Sequence, residues 1–521
     1  MWDKLKNLFK KNNQSSKSIR KEIIEKKFSS DYYKNIKKLK KIFDGSQDIK
    51  FREFFIKENR ATLIFVEPLV EKELINESIL RPLMFMDGDY CEEKIDQVIL
   101  KDLASKFLSI SIVDETDSFK KIMDSILEGN GVLLVEKVPR AFILDIKGWQ
   151  ERSVAPATNE ITTYGPQEAF VENLQTNISM IRKRIRDPHL KVKYKTIGRR
   201  GKAKLALLYI DDIINQELLY KVEERLDQID IDLVLDIGIL EDFISDNHLT
   251  PFPQLLKTER PDKISAGLME GQIALMLEHT PYVYLVPALL MHFFQSPEDY
   301  YDKPFVATFV RFIRILSAIF AIFLPAIYIS LVTFHPELLP IDLIIPLAIA
   351  RSKVPFPSFI EAFLMEGLLE VIREAGARLP GPIGQTISIV GGLVIGEAAV
   401  RANLVSAPMV IVVAVTAIAS FTVPISSIGV PLRLFRFFMM ILASILSLYG
   451  VILGYLFIII HLTSLESFDV PYFTPLAPLN FKDLKDVLIR APYQYLRKRP
   501  RSIPHHDNDR FKYGGEKDEG N

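Results

Sequence analysis

The sequence predicts an α/β soluble N-terminal region of two subdomains followed by a polytopic α-helical membrane domain. Three observations carry that prediction. Lys+Arg and Asp+Glu both number 65, yet between Pro304 and Leu462 long apolar runs dominate and charges are sparse. From about 50 to 260, strand-period and helix-period segments alternate. "FIRILSAIFAIFLPAIYISLVTF" (312–334) is long enough to cross a hydrocarbon core of about 30 Å at ~1.5 Å per helical residue.

Residues 1–45 form a basic leader: Met1 to Lys41 holds thirteen Lys and Arg20 against Asp3, Glu22, Glu25 and Asp31. Its composition fits a solvated helical leader, or attraction to anionic lipid, better than nucleic-acid binding. It contains no uninterrupted apolar stretch of the signal-peptide kind, so the N-terminal half is expected in the cytoplasm. Cys91 is the single cysteine of the chain, which leaves no intrachain disulfide and no oxidising scaffold.

Subdomain 1 is expected over 46–155 and subdomain 2 over 156–294, with a break near "SVAPATNE" (153–160). "ATLIFVE" (61–67), "GVLLVEK" (131–137) and "KLALLYI" (204–210) read as strands, being short apolar runs bounded by turn residues. "DSFKKIMDSILEG" (117–129) reads as an amphipathic helix stopped by Gly129. Further helices are expected over 165–187, with Pro188 beyond the end, and over 215–229.

The membrane domain is placed at 295–480, with four spans at 312–334, 383–400, 404–425 and 437–462. "YVYLVPALLMHFF" (282–294) and "LLPIDLIIPLAIA" (338–350) are too short to span and read as re-entrant or interfacial. Arg311 and Arg314 place the start of the first span inside by the positive-inside rule. Arg351, Lys353, Arg373, Arg378, Arg433 and Arg436 then compete with "LRKRPR" (496–501) for the same side. An extra crossing or a re-entrant loop would reconcile them. Both termini are expected in the cytoplasm, with 481–521 as a polar tail.

No catalytic constellation is present. "GGLVIGEA" lacks the Lys-Ser/Thr of a phosphate loop, and no His-Glu-x-x-His or Ser/His/Asp order appears. His505 and His506 lie in the tail, where a metal would lack a scaffold. No metal or cofactor is expected. In "IGQTISIVGGLVIGEAAV", Gly384, Ser388, Gly392 and Gly396 recur every fourth residue, a small-residue stripe that lets helix backbones approach. Packing within one subunit, a subunit contact and a pore face all fit it. Glu397, one turn before Arg401, is either half of an interfacial ion pair or a pore-mouth or relay group. Val394, Glu397 and Val400 are the candidate pore or gate positions. Glu366, Glu370 and Glu374, at i, i+4 and i+8, form either a solvated face or an acidic, cation-attracting vestibule.

Three blocks carry a family resemblance: "YGPQEAFVENLQTNISMIRKRIRDPHLK", the stretch from "LYIDDIINQELLYKVEERLDQI" to "MHFFQSPEDYY", and "VPFPSFIEAFLMEGLLEVIREAGARLPGPIGQTISIVGGLVIGEAAV" with "SAPMVIVVAVTAIASFTVP". Over about 150–478 the chain resembles the A subunits of GerA-type spore germinant receptors. "LEH" (277–279) departs from the compact Asp-Gly turn more common in that family. The resemblance implies a spore inner-membrane protein, working with a transporter-like B subunit and a lipoprotein C subunit. It implies nutrient sensing that triggers ion release, with the A subunit forming a homo-oligomeric channel component. A secondary transporter or ion exchanger with Glu397 as relay, and a membrane-anchored scaffold, are the rival readings. Transporters often carry inverted repeats, and no obvious pair of matching halves is seen.

Overall fold

The computed structural model describes residues 28–29, 31–84, 112–148, 157, 159–378, 391–392 and 394–511. Cys91, Gly384 and Ser388 lie outside them.

The first unit begins inside the basic stretch. Helix α1 (Tyr32–Ile42) is capped by Asp31, whose side chain accepts from the Lys34 backbone N–H, and it buries Ile36, Leu39 and Ile42. The lysines lie on the opposite side, so this part of the leader is a packed helix rather than a solvated arm. Strands β1 (Ile49–Ile56), β2 (Asn59–Val66), β3 (Ile112–Thr116), β4 (Gly131–Val135) and β5 (Ala141–Leu144) form an antiparallel sheet in the order β1-β2-β4-β5-β3. Helix α2 (Phe119–Leu127) covers one face through Phe119, Ile122, Met123 and Ile126.

The second unit repeats this plan. Helix α3 (Leu174–Arg184) starts later than periodicity predicts, because the Asn173 side chain accepts from the N–H groups of Gln175 and Thr176 and fixes the start there. Strands β6 (Leu190–Ile197), β7 (Ala203–Ile210), β8 (Leu256–Thr258), β9 (Ile273–Leu277) and β10 (Val283–Val286) have the order β6-β7-β9-β10-β8. That is the first sheet's order strand for strand. Helix α4 (Gln216–Asp227) follows β7, and α5 (Pro261–Met269) precedes β9 as α2 precedes β4.

The duplication is written in the sequence. Residues 116–144 and 258–286 align without a gap, matching Lys121 with Lys263, Ile122 with Ile264 and Glu128-Gly129 with Glu270-Gly271. Leu133, Glu136 and Pro139 likewise match Leu275, Glu278 and Pro281. Backbone conformation follows: Gly129 and Gly271 have φ of 92° and 94°, and Lys137 and His279 both have φ of 70°. His279 holds a left-handed turn that an Asp-Gly pair would adopt at less cost. Internal symmetry therefore resides in the α/β half.

Residues 282–294 are not re-entrant. Val283–Val286 is strand β10, hydrogen-bonded to β8 and β9 with every residue buried, and Leu290–Phe293 is a 3₁₀ turn beneath the sheet. A strand buried on both faces gives the same continuous apolar run as a membrane segment, so periodicity cannot separate the two. The units meet at Asp48 and Arg182, both fully buried and paired through Nε (2.8 Å) and Nη2 (2.9 Å). Gln47 adds to the β6 edge through its backbone N–H on Val192 O (2.9 Å).

The helical part comprises α6 (Pro304–Phe334), α7 (Ile341–Arg351), α8 (Ser358–Arg378), α9 (394–401), α10 (Ala407–Phe421) and α11 (Ser426–Ser464). Among the described residues, α6 and α11 are long and apolar enough to cross a membrane, and α10 is shorter. α11 is not one rod. Ser447 has φ 58° and ψ −139°, and there the chain reverses. Phe438 and Phe457 have ring centroids 5.5 Å apart, where a continuous helix would separate them by about 28 Å. Phe435 and His461 both pack on Phe252, at 5.2 and 6.0 Å. Residues 426–446 and 448–464 are thus the arms of an antiparallel helical hairpin, and the span expected over 437–462 divides into two.

Glycine makes the hairpin close. A Cβ on Gly450 would strike the Leu442 carbonyl, and one on Gly454 would strike the Met439 side chain. Gly450→Ala is therefore expected to splay the arms and cost about 1–3 kcal/mol. Gly392→Ala, whose Cβ would meet nothing within 4 Å, should cost far less. Unfolding of the two variants in a mixed-detergent titration checks this.

After Ser464 the chain returns to the second unit. Ser467 Oγ donates to Gln254 O (2.8 Å) and accepts from the Ala288 N–H (3.0 Å), while Tyr472 donates to Pro253 O (2.8 Å). The region expected as a polar tail is docked as far as described. Arg499 is buried and donates to Met269 O (2.6 Å), Asp507 O (3.0 Å) and Asp509 O (2.6 Å). The His506 N–H bonds Ile213 O at 2.8 Å.

Glu270 faces Arg510 under this tail, and burial pushes its carboxyl up to about 6 against the pull of that guanidinium. Between its ordinary value of 4.5 and about 6 the native state holds more protons than the unfolded chain, so this group makes stability fall as pH rises through that window. Glu270→Gln should remove that slope, as thermal midpoints measured across the same window would show.

Candidate functional site

Charged side chains within the apolar bundle form three tiers along α6. At its foot, Asp299 accepts from Arg311 Nε (2.8 Å) and Arg314 Nη1 (2.8 Å), all three residues being buried. Arg311 also donates to the Asp486 backbone carbonyl, tying the docked tail to the helix. Arg311 and Arg314 thus act as partners of a buried carboxylate.

The middle tier lies ~10 Å further along, at one helical rise per residue from Arg314 to Ala321. Arg436 is fully buried, donates from Nε to Ala321 O (2.7 Å), and pairs through Nη1 with the equally buried Glu366. Glu370 stands between Arg433 (3.2 Å) and Arg373 (3.6 Å), and Arg373 Nη2 donates to Ser420 Oγ (2.9 Å). This tier therefore joins α6, α8, α10 and the first arm of α11. Glu366 Oε1 and Arg436 Nη2 have no hydrogen-bond partner among the described residues. At the far tier, buried Glu361 accepts from the Ser406 N–H (2.8 Å) and faces Arg351 Nε at 3.6 Å.

This geometry changes the reading of several sequence candidates. Glu366, Glu370 and Glu374 do not share an open acidic face. Glu366 is inside the bundle, Glu370 lies between two arginines, and Glu374 is exposed with Arg378 one turn on. Arg373, Arg433 and Arg436, taken from sequence as markers of the inner side, are their counter-ions. The available signal was the arginine positions themselves, since a cation flanked by apolar turns needs a buried partner.

Val394, Glu397 and Val400 lie on α9. Glu397 pairs with Arg401, their side chains being 56% and 78% exposed. Val394 is exposed and Val400 half-buried. The helix ends in a left-handed cap: Asn403 has φ 54°, and the Leu404 N–H returns to Ala399 O at 2.9 Å. Of the small-residue stripe, a Cβ on Gly396 would lie 3.6 Å from Val410 of α10, whereas Gly392 faces open space. So α9 packs on α10 through Gly396 and leaves Gly392, Val394 and Glu397 uncovered. Among the described residues no group of His, Cys, Asp and Glu is arranged to hold a metal.

A duplicated antiparallel α/β body fastened to a bundle of apolar helices with internal ion pairs defines a body-and-bundle class of protein. The chain belongs to the GerA family, described as Bacillus/Clostridium GerA spore germination protein, which matches residues 37–502. Spore germination protein KA of Bacillus subtilis (strain 168) is 39% identical over 480 residues, covering 92% of this chain and 87% of that protein. Spore germination protein GerLA of Bacillus cereus is 38% identical over 91% of this chain and 96% of its own length. YfkQ of Bacillus subtilis (strain 168), named as an uncharacterized membrane protein, is 39% identical over 91% of this chain and 92% of its own. Among solved structures, the N-terminal domain of the A subunit of the Bacillus megaterium spore germinant receptor GerK3 matches at 27% identity. It covers 51% of this chain and 98% of that one, with a TM-score of 0.40.

Proposed function

We propose that this chain is the membrane-embedded A subunit of a nutrient-responsive spore germinant receptor, acting as an oligomeric, ligand-gated ion-channel component. It works with a transporter-like B subunit and a lipoprotein C subunit in the spore inner membrane. The observation that carries this reading is the uncovered side of α9. One side is anchored on α10 at Gly396, while Val394 and the Glu397–Arg401 pair remain open on a helix drawn from an apolar run. A charged pair left open there requires water or headgroups, as at a pore mouth. It gives less support to a relay deep in the membrane.

The Ser447 reversal supports a multi-pass topology. Counting both arms of α11, with α6, α8, the 383–400 segment and α10, gives an even number of crossings. The α/β body and the docked tail, with "LRKRPR", then stand on the cytoplasmic side together with Arg378, Arg433 and the inner end of α8, while Arg351 and Lys353 fall on the other side.

Val394→Ala and Val400→Ala are expected to change ion release from spores, or conductance in reconstituted bilayers, several-fold with expression unchanged. Unaltered flux in both variants would remove the pore assignment. A native mass equal to one 59.5 kDa protomer would remove the oligomeric channel altogether.

A further inference from the structure

We propose that residues 479–501 form an interfacial collar that rests on anionic phospholipid headgroups around the foot of α6. Helix α12 (Phe481–Val487) and the loop after it wrap that foot. The Arg490 N–H donates to Thr308 Oγ1 (3.1 Å), the Arg490 guanidinium lies over the rings of Tyr300 (5.8 Å) and Tyr493 (5.1 Å), and Tyr300 donates to Asp486 (3.1 Å). The segment is therefore at a fixed height, level with the first turns of α6.

Its outer surface is what a headgroup layer requires. Phe481 and Ile489 are 76% and 60% exposed, with Tyr493 and Tyr495 exposed beside them. Phe481 opens α12 and Ile489 follows it in the loop. The exposed Phe305, Phe309 and Phe312 of α6 continue the apolar surface at the same level. The collar holds seven Lys and Arg against Asp483 and Asp486. Both acids are turned inward, Asp483 onto Ser502 and Asp486 toward Arg311, Tyr300 and Arg510. Arg490 and Arg499 are also spent inside, and Lys485 donates to Tyr495 O. Lys482, Arg497, Lys498 and Arg501 lie at the surface. Exposed aromatics rimmed by cations, continuous with a bundle foot, match an anionic bilayer surface in both polarity and charge.

The inference rests on the bundle lying in a bilayer, so its test carries a control for that. The full chain with Cys91→Ser is given one cysteine, at Phe481→Cys, Ile489→Cys, Ile452→Cys or Tyr33→Cys, then spin-labelled and reconstituted in phosphatidylcholine vesicles with or without phosphatidylglycerol. Expected for 481 and 489 in anionic vesicles is oxygen accessibility exceeding that of a water-soluble nickel chelate. That excess should fall at least two-fold in neutral vesicles and in the Lys482→Glu/Lys498→Glu/Arg501→Glu variant. Labels at 481 and 489 as nickel-accessible as the one at 33 would overturn the collar, provided 452 reports lipid. Failure at 452 as well would overturn the membrane reading itself. Labels shielded from both reagents would mean a protein covers the surface, and equal depth with and without anionic lipid would mean charge plays no part. Either result overturns the proposal.

Discussion

Arg436→Met is expected to destabilise the bundle by about 3–5 kcal/mol, the usual consequence of leaving one half of a buried ion pair alone. Two losses combine. Glu366 keeps a fully buried carboxylate with no cation in contact, and Ala321 O loses the donor it has at 2.7 Å. The paired variant Glu366→Leu/Arg436→Met should recover most of that loss, because it removes both desolvated charges together. A detergent-denaturation series on wild type, both single variants and the double variant checks this. Equal stability for Arg436→Met and wild type would mean that the middle tier contributes no net attraction. Because the pair joins α8 to the first arm of α11, its loss is also expected to loosen the contact between those helices before it abolishes folding.

Arg182→Met should have an effect of similar size in the soluble half, about 3–5 kcal/mol, but with a different signature. Asp48 and Arg182 are the buried bidentate link between the two α/β units, seated where Gln47 joins the β6 edge. Without the guanidinium, the first unit keeps its own core while the Asp48 carboxylate stays in the junction uncompensated. Calorimetry of the whole protein should then show the body's melting separate into two transitions, the earlier one belonging to the first unit. One unchanged transition would show that the remaining contacts, Gln47 on Val192 among them, hold the units together without the pair.

Local features of this fold were legible in the sequence, and pairings between distant residues were not. The strands expected at 61–67, 131–137 and 204–210 appear as Asn59–Val66, Gly131–Val135 and Ala203–Ile210, because a short apolar run between turn residues is specified by neighbours. The sheet order depends on partners far along the chain and leaves no such trace. The reversal at Ser447 was hidden for a related reason: "FFMMILASILSLYGVILGYLFIIIHL" is apolar on both arms and across the turn, so hydropathy shows one span. Only the spacing of Ser447, Gly450 and Gly454 hinted at close backbones. At the candidate site, Glu397 and Arg401 were readable as a pair, being one turn apart. Glu366 and Arg436 were not, since seventy residues separate them.

The bundle is held to the α/β body at both of its ends, through Tyr301 on Asp262 just before α6 and through His461 on Thr250 and Ser467 on Gln254 after α11. A helical bundle on one tether could swivel freely beneath its body. With two anchorages the body and bundle form a closed linkage, in which a tilt of the second unit becomes a torque on the helices. A shift of either sheet on occupancy by another protein could then reach the bundle as rigid-body motion, without any segment needing to unfold.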